Sequence, residues 1–185
     1  MVLTVVFDAC VLYPAPLRDL LLRLAVEELC RARWSDEILD EVFDNLQATR
    51  PDLDPAKLAR TRKKMCDAVP GCLVTSHLHL VDSLELPDPG DRHVLAAAVH
   101  SGAEVLVTDN LKDFPKSALR PYGIEPLSAD AFVAGVIESA AAQVATIVEQ
   151  QAADLTNPPC TVEEVLEKLS RNGLRRSAVR LRALV

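Results

Sequence analysis

Residues 2–7 read VLTVVF, a nearly unbroken apolar run that stops at Asp8. A run of this kind, Val-rich and without polar alternation, is a strand covered on both faces, which calls for a parallel sheet between layers of helices. The residue that ends it matters as much. A carboxylate at the carboxyl end of a parallel strand either caps the next helix or faces the crevice in which such sheets bind ligands. On Asp8 alone capping is the commoner role, so the weight falls on whether other acids reach the same edge.

The rest of the chain supports an α/β reading. After Pro14 and Pro16, LRDLLLRLAVEELCRAR has helical spacing throughout, and Ser35 can cap a second helix, DEILDEVFDNLQ. Asp54-Pro55 supplies an N-cap and first-turn pair for a third helix ending near Met65. CLVT follows Gly71 as a short strand, and HLHLVDSLEL is irregular. Asp88-Pro89-Gly90-Asp91 opens the helix RHVLAAAVHS, closed by Gly102; EVLVT is a second apolar strand ending at Asp109; GIEPLS is a last one. Ser128 then caps a long helix, and Asn157-Pro158-Pro159 separates a final helix whose start, Thr161 to Glu164, is a capping box. The expected architecture is a parallel sheet flanked by helices over residues 1–127, with an α-helical C-terminal extension over 128–185.

At 185 residues and 49% hydrophobic composition the chain can bury a sizeable core. No stretch reads as a membrane span and the N-terminus lacks the pattern of a signal peptide, so the expectation is a cytoplasmic protein without membrane contact. Five scattered cysteines (Cys10, Cys30, Cys66, Cys72, Cys160) form no C-x-x-C pair, which argues against a disulfide framework or zinc site and for reduced, mostly buried thiols. The net charge of −7 is uneven: residues 161–185 carry +3 against −10 for the rest. An acidic body with a basic tail suggests an electrostatic partner for the tail, or a solvated helix face.

The acids occur in ordered motifs: DACVL, ILDEV, DPGDRHVLAAA and VLVTDNLKDF. Each has a plain reading, since Asp88 and Asp91 make good caps, Glu41 can be helix surface, and Asp113-Phe114-Pro115 can be a turn. As an ordered set they resemble the PIN domain family, metal-dependent ribonucleases that include VapC-type toxins of toxin–antitoxin pairs. The resemblance spans residues 1–127. It implies Asp8, Glu41, Asp91 and Asp113 as catalytic acids, with Asp8 and Asp91 the principal metal ligands and Glu41 and Asp113 acting directly or through water. Asp88 is implied as an accessory ligand. Two departures stand out: Asn110 replaces the usual acid of the last motif, leaving Asp113 or Asp109 to take its place, and Cys10 replaces an asparagine, weakening polar support around Asp8.

The residue types suit the implied chemistry. Crowded carboxylates repel and raise one another's pKa until a cation neutralises them, and hard oxygen ligands favour Mg²⁺ or Mn²⁺. Such a cation lowers the pKa of a water and stabilises charge on a phosphodiester. Arg92 and Lys112 flank the acids and are candidate RNA-phosphate contacts, as is a basic cluster of Arg60, Arg62, Lys63 and Lys64. The resemblance further implies an RNA substrate, a VapB-like antitoxin, a homodimer, and products with 5′-phosphate and 3′-hydroxyl ends. The alternative is a degenerate PIN-like RNA- or protein-binding module without catalysis. A phosphatase of the haloacid dehalogenase type would need a second aspartate where Cys10 stands.

Overall fold

The computed structural model describes residues 2–185. β1 (Thr4–Phe7), with Val5, Val6 and Phe7 fully buried, is the middle of a five-stranded sheet completed by β2 (Arg31–Ser35), β3 (Leu73–Val74), β4 (Val105–Val107) and β5 (Glu125–Leu127). The order is β3-β2-β1-β4-β5 and every pairing is parallel, with Val5 opposite Ala32 on one side and Val105 on the other. All carboxyl ends therefore share one edge. Successive connections leave β1 first toward β2 and later toward β4, so a topological switch point lies between β1 and β4, where open sheets leave a crevice.

Helices cover both faces: α1 (Ala9–Leu12), α2 (Ala15–Val26), α3 (Asp36–Thr49), α4 (Pro55–Ala68), α5 (Arg92–His100) and α6 (Lys116–Leu119). Ser35 caps α3 by accepting from Ile38 N, and Asp54 caps α4 by accepting from Ala56 N. Leu17, Leu20, Leu21 and Leu24 of α2 and Val94 to Ala98 of α5 are buried against the sheet. At about 1.5–3 kcal/mol per large side chain, this burial is the main stabilising term.

Three expectations are corrected. LRDLLLRLAVEELCRAR is not one helix: α2 stops at Val26, Glu28 takes a left-handed φ of 56°, and the chain turns into β2. Its alternation of Ala32 and Trp34, buried, with Arg31 and Arg33, outward, is the period-two signature of a strand. The final helix is two, α8 (Val162–Arg171) and α9 (Arg175–Arg182), broken at Gly173 with φ of 101°. The cysteines are not mostly buried: only Cys30 and Cys72 are.

Against the expectation of no spanning stretch, α7 (Ala129–Asp154) is long and apolar enough to cross a membrane by length and composition. It kinks at Ala140, and Phe132, Val133, Ile137, Val144, Ile147 and Val148 are buried in the protein core. Phe132 meets Phe7 edge-on, with ring centroids 5.8 Å apart.

Two carboxylates act as caps supplied from a neighbouring element, one tying this extension to the sheet and one tying its helices together. Asp109, after β4, accepts from Ala129 N at the start of α7 (3.0 Å), assisting the local cap Ser128. Asp130 in turn accepts from Arg176 N (3.0 Å), Ser177 N (2.9 Å) and Ser177 Oγ (2.7 Å), closing the otherwise uncapped start of α9. Burial pushes the Asp130 carboxyl upward, but the hydrogen bonds from Ser177 and Arg176 outweigh it and hold it below the usual carboxylate range. Its stabilisation is thus present at neutral pH and is lost as pH falls through the depressed pKa. Asp130→Ala should cost about 1–2 kcal/mol in urea unfolding and speed hydrogen exchange at the Arg176 and Ser177 amides; unchanged exchange there would contradict the capping role.

Candidate active site

Asp8 sits at the exit of β1, 7% exposed, and caps the short α1. Its Oδ1 accepts from Ala9 N (2.7 Å), and its Oδ2 accepts from Thr108 Oγ1 (2.7 Å) and Cys10 Sγ (3.1 Å). Thr108 follows β4, so the Asp8–Thr108 bond spans the switch point. Burial drives the Asp8 carboxyl above its ordinary pKa; the bonds from Thr108, Cys10 and Ala9 oppose this and the charge of Glu41 adds to it, leaving the pKa raised. Cys10 therefore does not weaken the support of Asp8 but forms part of it. Its thiol, desolvated and beside Asp8, is pushed up to about 12 and stays a neutral donor at physiological pH.

Next to Asp8 opens a cavity of about 450 Å³ whose lining includes Cys10, Tyr13, Glu41, Asn45, Asp91 and Asn110. Asp91 ends a 3-10 turn, Pro89–Asp91, that leads into α5. The expectation that strand order leaves the start of α5 elsewhere is corrected: α5 lies between the parallel strands β3 and β4, so it runs back from the carboxyl edge and its start falls at this edge. One Asp91 oxygen, Oδ2, is buried without a hydrogen-bond partner. Burial, and then the charges of Asp8, Asp88, Asp113 and Glu41, push the Asp91 carboxyl up to about 6. Glu41 joins from the middle of α3, where its Oε1 lies 2.7 Å from His93 Nε2.

The other sequence candidates are placed differently. Asn110 reaches the cavity, and its Nδ2 donates to Asp113 Oδ2 at 2.6 Å. Asp113 thus stands behind Asn110, close enough to raise Asp91 but not lining the cavity. Phe114 is buried beside it and anchors this loop. Asp88 accepts from Gly90 N (2.8 Å) as the cap of the 3-10 turn, and Asp109 faces α7. Arg92 is half-buried with Nε unpartnered; Lys112 is exposed, 4.0 Å from Asp113. In the basic cluster, Arg62 is taken by Asp36 and Asp40, and Lys63 by Asp67.

Two of the four histidines, His77 and His93, which show no pattern in sequence, form rungs against α3. Burial lowers the His93 imidazole, but its bond to Glu41 and the charges of Glu41, Glu37 and Asp8 outweigh this and raise its pKa. One helical turn earlier, Glu37 Oε2 lies 3.4 Å from Nε2 of His77, which is 2% exposed with neither ring nitrogen hydrogen-bonded. Burial lowers the His77 imidazole, outweighing the charge of Glu37 that opposes it. The one signal for these rungs in the sequence is the four-residue spacing of Glu37 and Glu41, which sets both on one helix face.

Among the described residues no three His, Cys, Asp or Glu side chains already stand in metal-binding geometry. The donor set nonetheless fits a hard cation: Asp8, Glu41, Asp91 and the Asn110 amide are all oxygen donors, and the buried Asp91 Oδ2 lacks any partner. A larger cavity of about 730 Å³ between α2, α4, α7 and α8 has mostly apolar walls, and Arg23 there neutralises both Asp19 and Asp154. It lacks an equivalent group of unpaired acids.

The PIN domain matches residues 4–112, and the VapC50 C-terminal domain matches residues 129–183. A protein of Mycobacterium tuberculosis (strain ATCC 25618 / H37Rv) named "Putative ribonuclease VapC50" is 40% identical over 79 residues, which are 43% of this chain and 47% of the relative. The chain thus aligns with about half the length of that curated relative. No solved structure matches significantly. With the match running from β1 past the exit of β4, over more than half of its residues, the chain belongs to the PIN domain family.

Proposed function

We propose that this protein is a Mg²⁺- or Mn²⁺-dependent endoribonuclease, the toxin of a VapBC-type pair, with a nuclease unit over residues 1–127 and a helical extension over 128–185. The observation that carries the reading is the meeting of Asp8, Glu41 and Asp91, from three separate elements, in one cavity at the switch point. The matched family and the name of the mycobacterial relative support the same chemistry.

Asp8 and Asp91 would hold the cation, with Glu41, Asn110 and Asp113 binding directly or through water and Asp88 and Asp109 outside the cavity. The chemistry supplied by such a cation is neutralisation of the acids, activation of a water and charge stabilisation on the phosphodiester. Thr108, Cys10 and Ala9 N hold the Asp8 carboxylate in one orientation. His93 does the same for Glu41 and shares its charge. Asn110 positions Asp113, and Lys112 and Arg92, which flank the acids in sequence, would contact RNA phosphates. A VapB-like antitoxin as partner, and a homodimer as assembly, belong to the same proposal. A second reading, a binding module without catalysis, is favoured by the neutral Asn110 in an otherwise acidic motif.

Purified protein should cut cellular RNA with Mn²⁺ or Mg²⁺ and stop on chelation. Folded Asp8→Asn and Asp91→Asn variants should lose activity by roughly 100-fold or more. Metal-independent behaviour shared by all three proteins would leave the binding-module reading.

A second expectation concerns pH in the presence of chelator. Asp91 titrates at about 6 when folded, against roughly 3.9 in an unfolded chain. The folded state therefore holds the extra proton between these values, and stability from this group falls as pH rises through the window. In thermal unfolding scans the wild-type Tm should gain on Asp91→Asn as pH drops from about 7 to about 5; parallel curves would contradict the crowding of these acids.

A further inference from the structure

Sequence alone leaves the basic C-terminal tail with either an electrostatic partner or the role of a solvated helix face, and the fold separates its six cations into two groups. Four are engaged: Arg171 with Glu167, Arg180 with Glu138, Arg182 with Glu163, and Lys168 with the Cys160 sulfur. Arg175 and Arg176 are exposed, and among the described residues neither forms an ion pair, although the charge of Arg176 contributes to holding Asp130 ionised. The backbone N–H of Arg176 is fixed by Asp130, whose oxygens are filled by the Arg176 and Ser177 amides and the Ser177 hydroxyl. The guanidinium groups are thus carried on an anchored backbone and left to solvent.

Their position is set by the glycine that precedes them. A side-chain carbon on Gly173 would sit 3.5 Å from Asp109 Oδ2, so the turn between α8 and α9 lies against the exit of β4. Asp109 adjoins Asn110, which lines the acidic cavity. The extension therefore folds back to deliver the two unpaired cations of the tail to the active edge of the sheet, on the β5 side of the carboxylates. The opposite arrangement, with free arginines far from the acids, is equally compatible with the sequence.

We propose that Arg175 and Arg176 form a phosphate-binding arm for single-stranded RNA, holding the strand beside the carboxylate cavity. The proposal rests on the ribonuclease reading. An acidic cavity repels an anionic polymer, and cations along the approach offset that repulsion while releasing counterions from the strand. The arm is a positioning element and touches no reacting atom.

The test uses the full chain in an Asp8→Asn background, so that the RNA stays intact, with labelled single-stranded RNA and Mg²⁺ at several salt concentrations. Arg175→Gln with Arg176→Gln should weaken binding by about tenfold near 0.1 M salt and reduce the slope of log K against log salt by about 1.4, two contacts at roughly 0.7 each. Arg171→Gln with Arg182→Gln removes the same charge from engaged positions and should leave both quantities unchanged. Equal losses in the two pairs, or none in the first, overturn the arm. Cleavage by the Asp8-containing protein then still upholds the nuclease reading. A wild-type protein that neither binds nor cuts RNA overturns both.

Discussion

The hydrogen bond from Thr108 Oγ1 to Asp8 Oδ2 is the point on which the site depends. It joins the exits of β1 and β4 across the switch point and gives a buried carboxylate one of its three partners. An unsatisfied carboxylate at this depth would cost several kcal/mol or take up a proton. Satisfied, it can stay fixed while Glu41 and Asp91 approach from α3 and from the turn before α5. The same Thr108 oxygen accepts from Asn110 N (3.0 Å), so one hydroxyl sets both the central acid and the loop that carries Asn110 and Asp113.

From this junction the extension is built by a chain of caps. Asp109, next to Thr108, points the other way and closes α7; Asp130 on α7 closes α9. Adjacent residues after β4 thus divide the work. Thr108 and Asn110 serve the acidic cavity, and Asp109 fixes the helices that fold back over the same edge. This division explains why Asp109, although inside the last acidic motif of the chain, does not line the cavity.

Much of this is legible in the residues. The β1 and β4 runs, the Ser35, Asp54 and Ser128 caps and the Thr161–Glu164 capping box are local signals, and each appears as read. The features that sequence hides depend on tertiary partners. β2 is concealed because Arg31 and Arg33 continue a helical-looking run, and only pairing with β1 makes the alternation of Ala32 and Trp34 decisive. The cap at Asp109 joins residues 20 positions apart, and Glu41 and His93 lie 52 apart, so spacing alone carries neither. The support Cys10 gives Asp8 depends on the geometry of its thiol, which residue type does not convey.

In the proposed reading the acids at the switch point take up a divalent cation, and Mn²⁺ binding is the decisive observation. Electron paramagnetic resonance of Mn²⁺ titrated into the purified wild-type protein should show saturable binding at neutral pH. Asp8→Asn and Asp91→Asn should each weaken it by about tenfold or more while remaining folded. Binding that is absent from the wild-type protein, or unchanged in both variants, would contradict that reading.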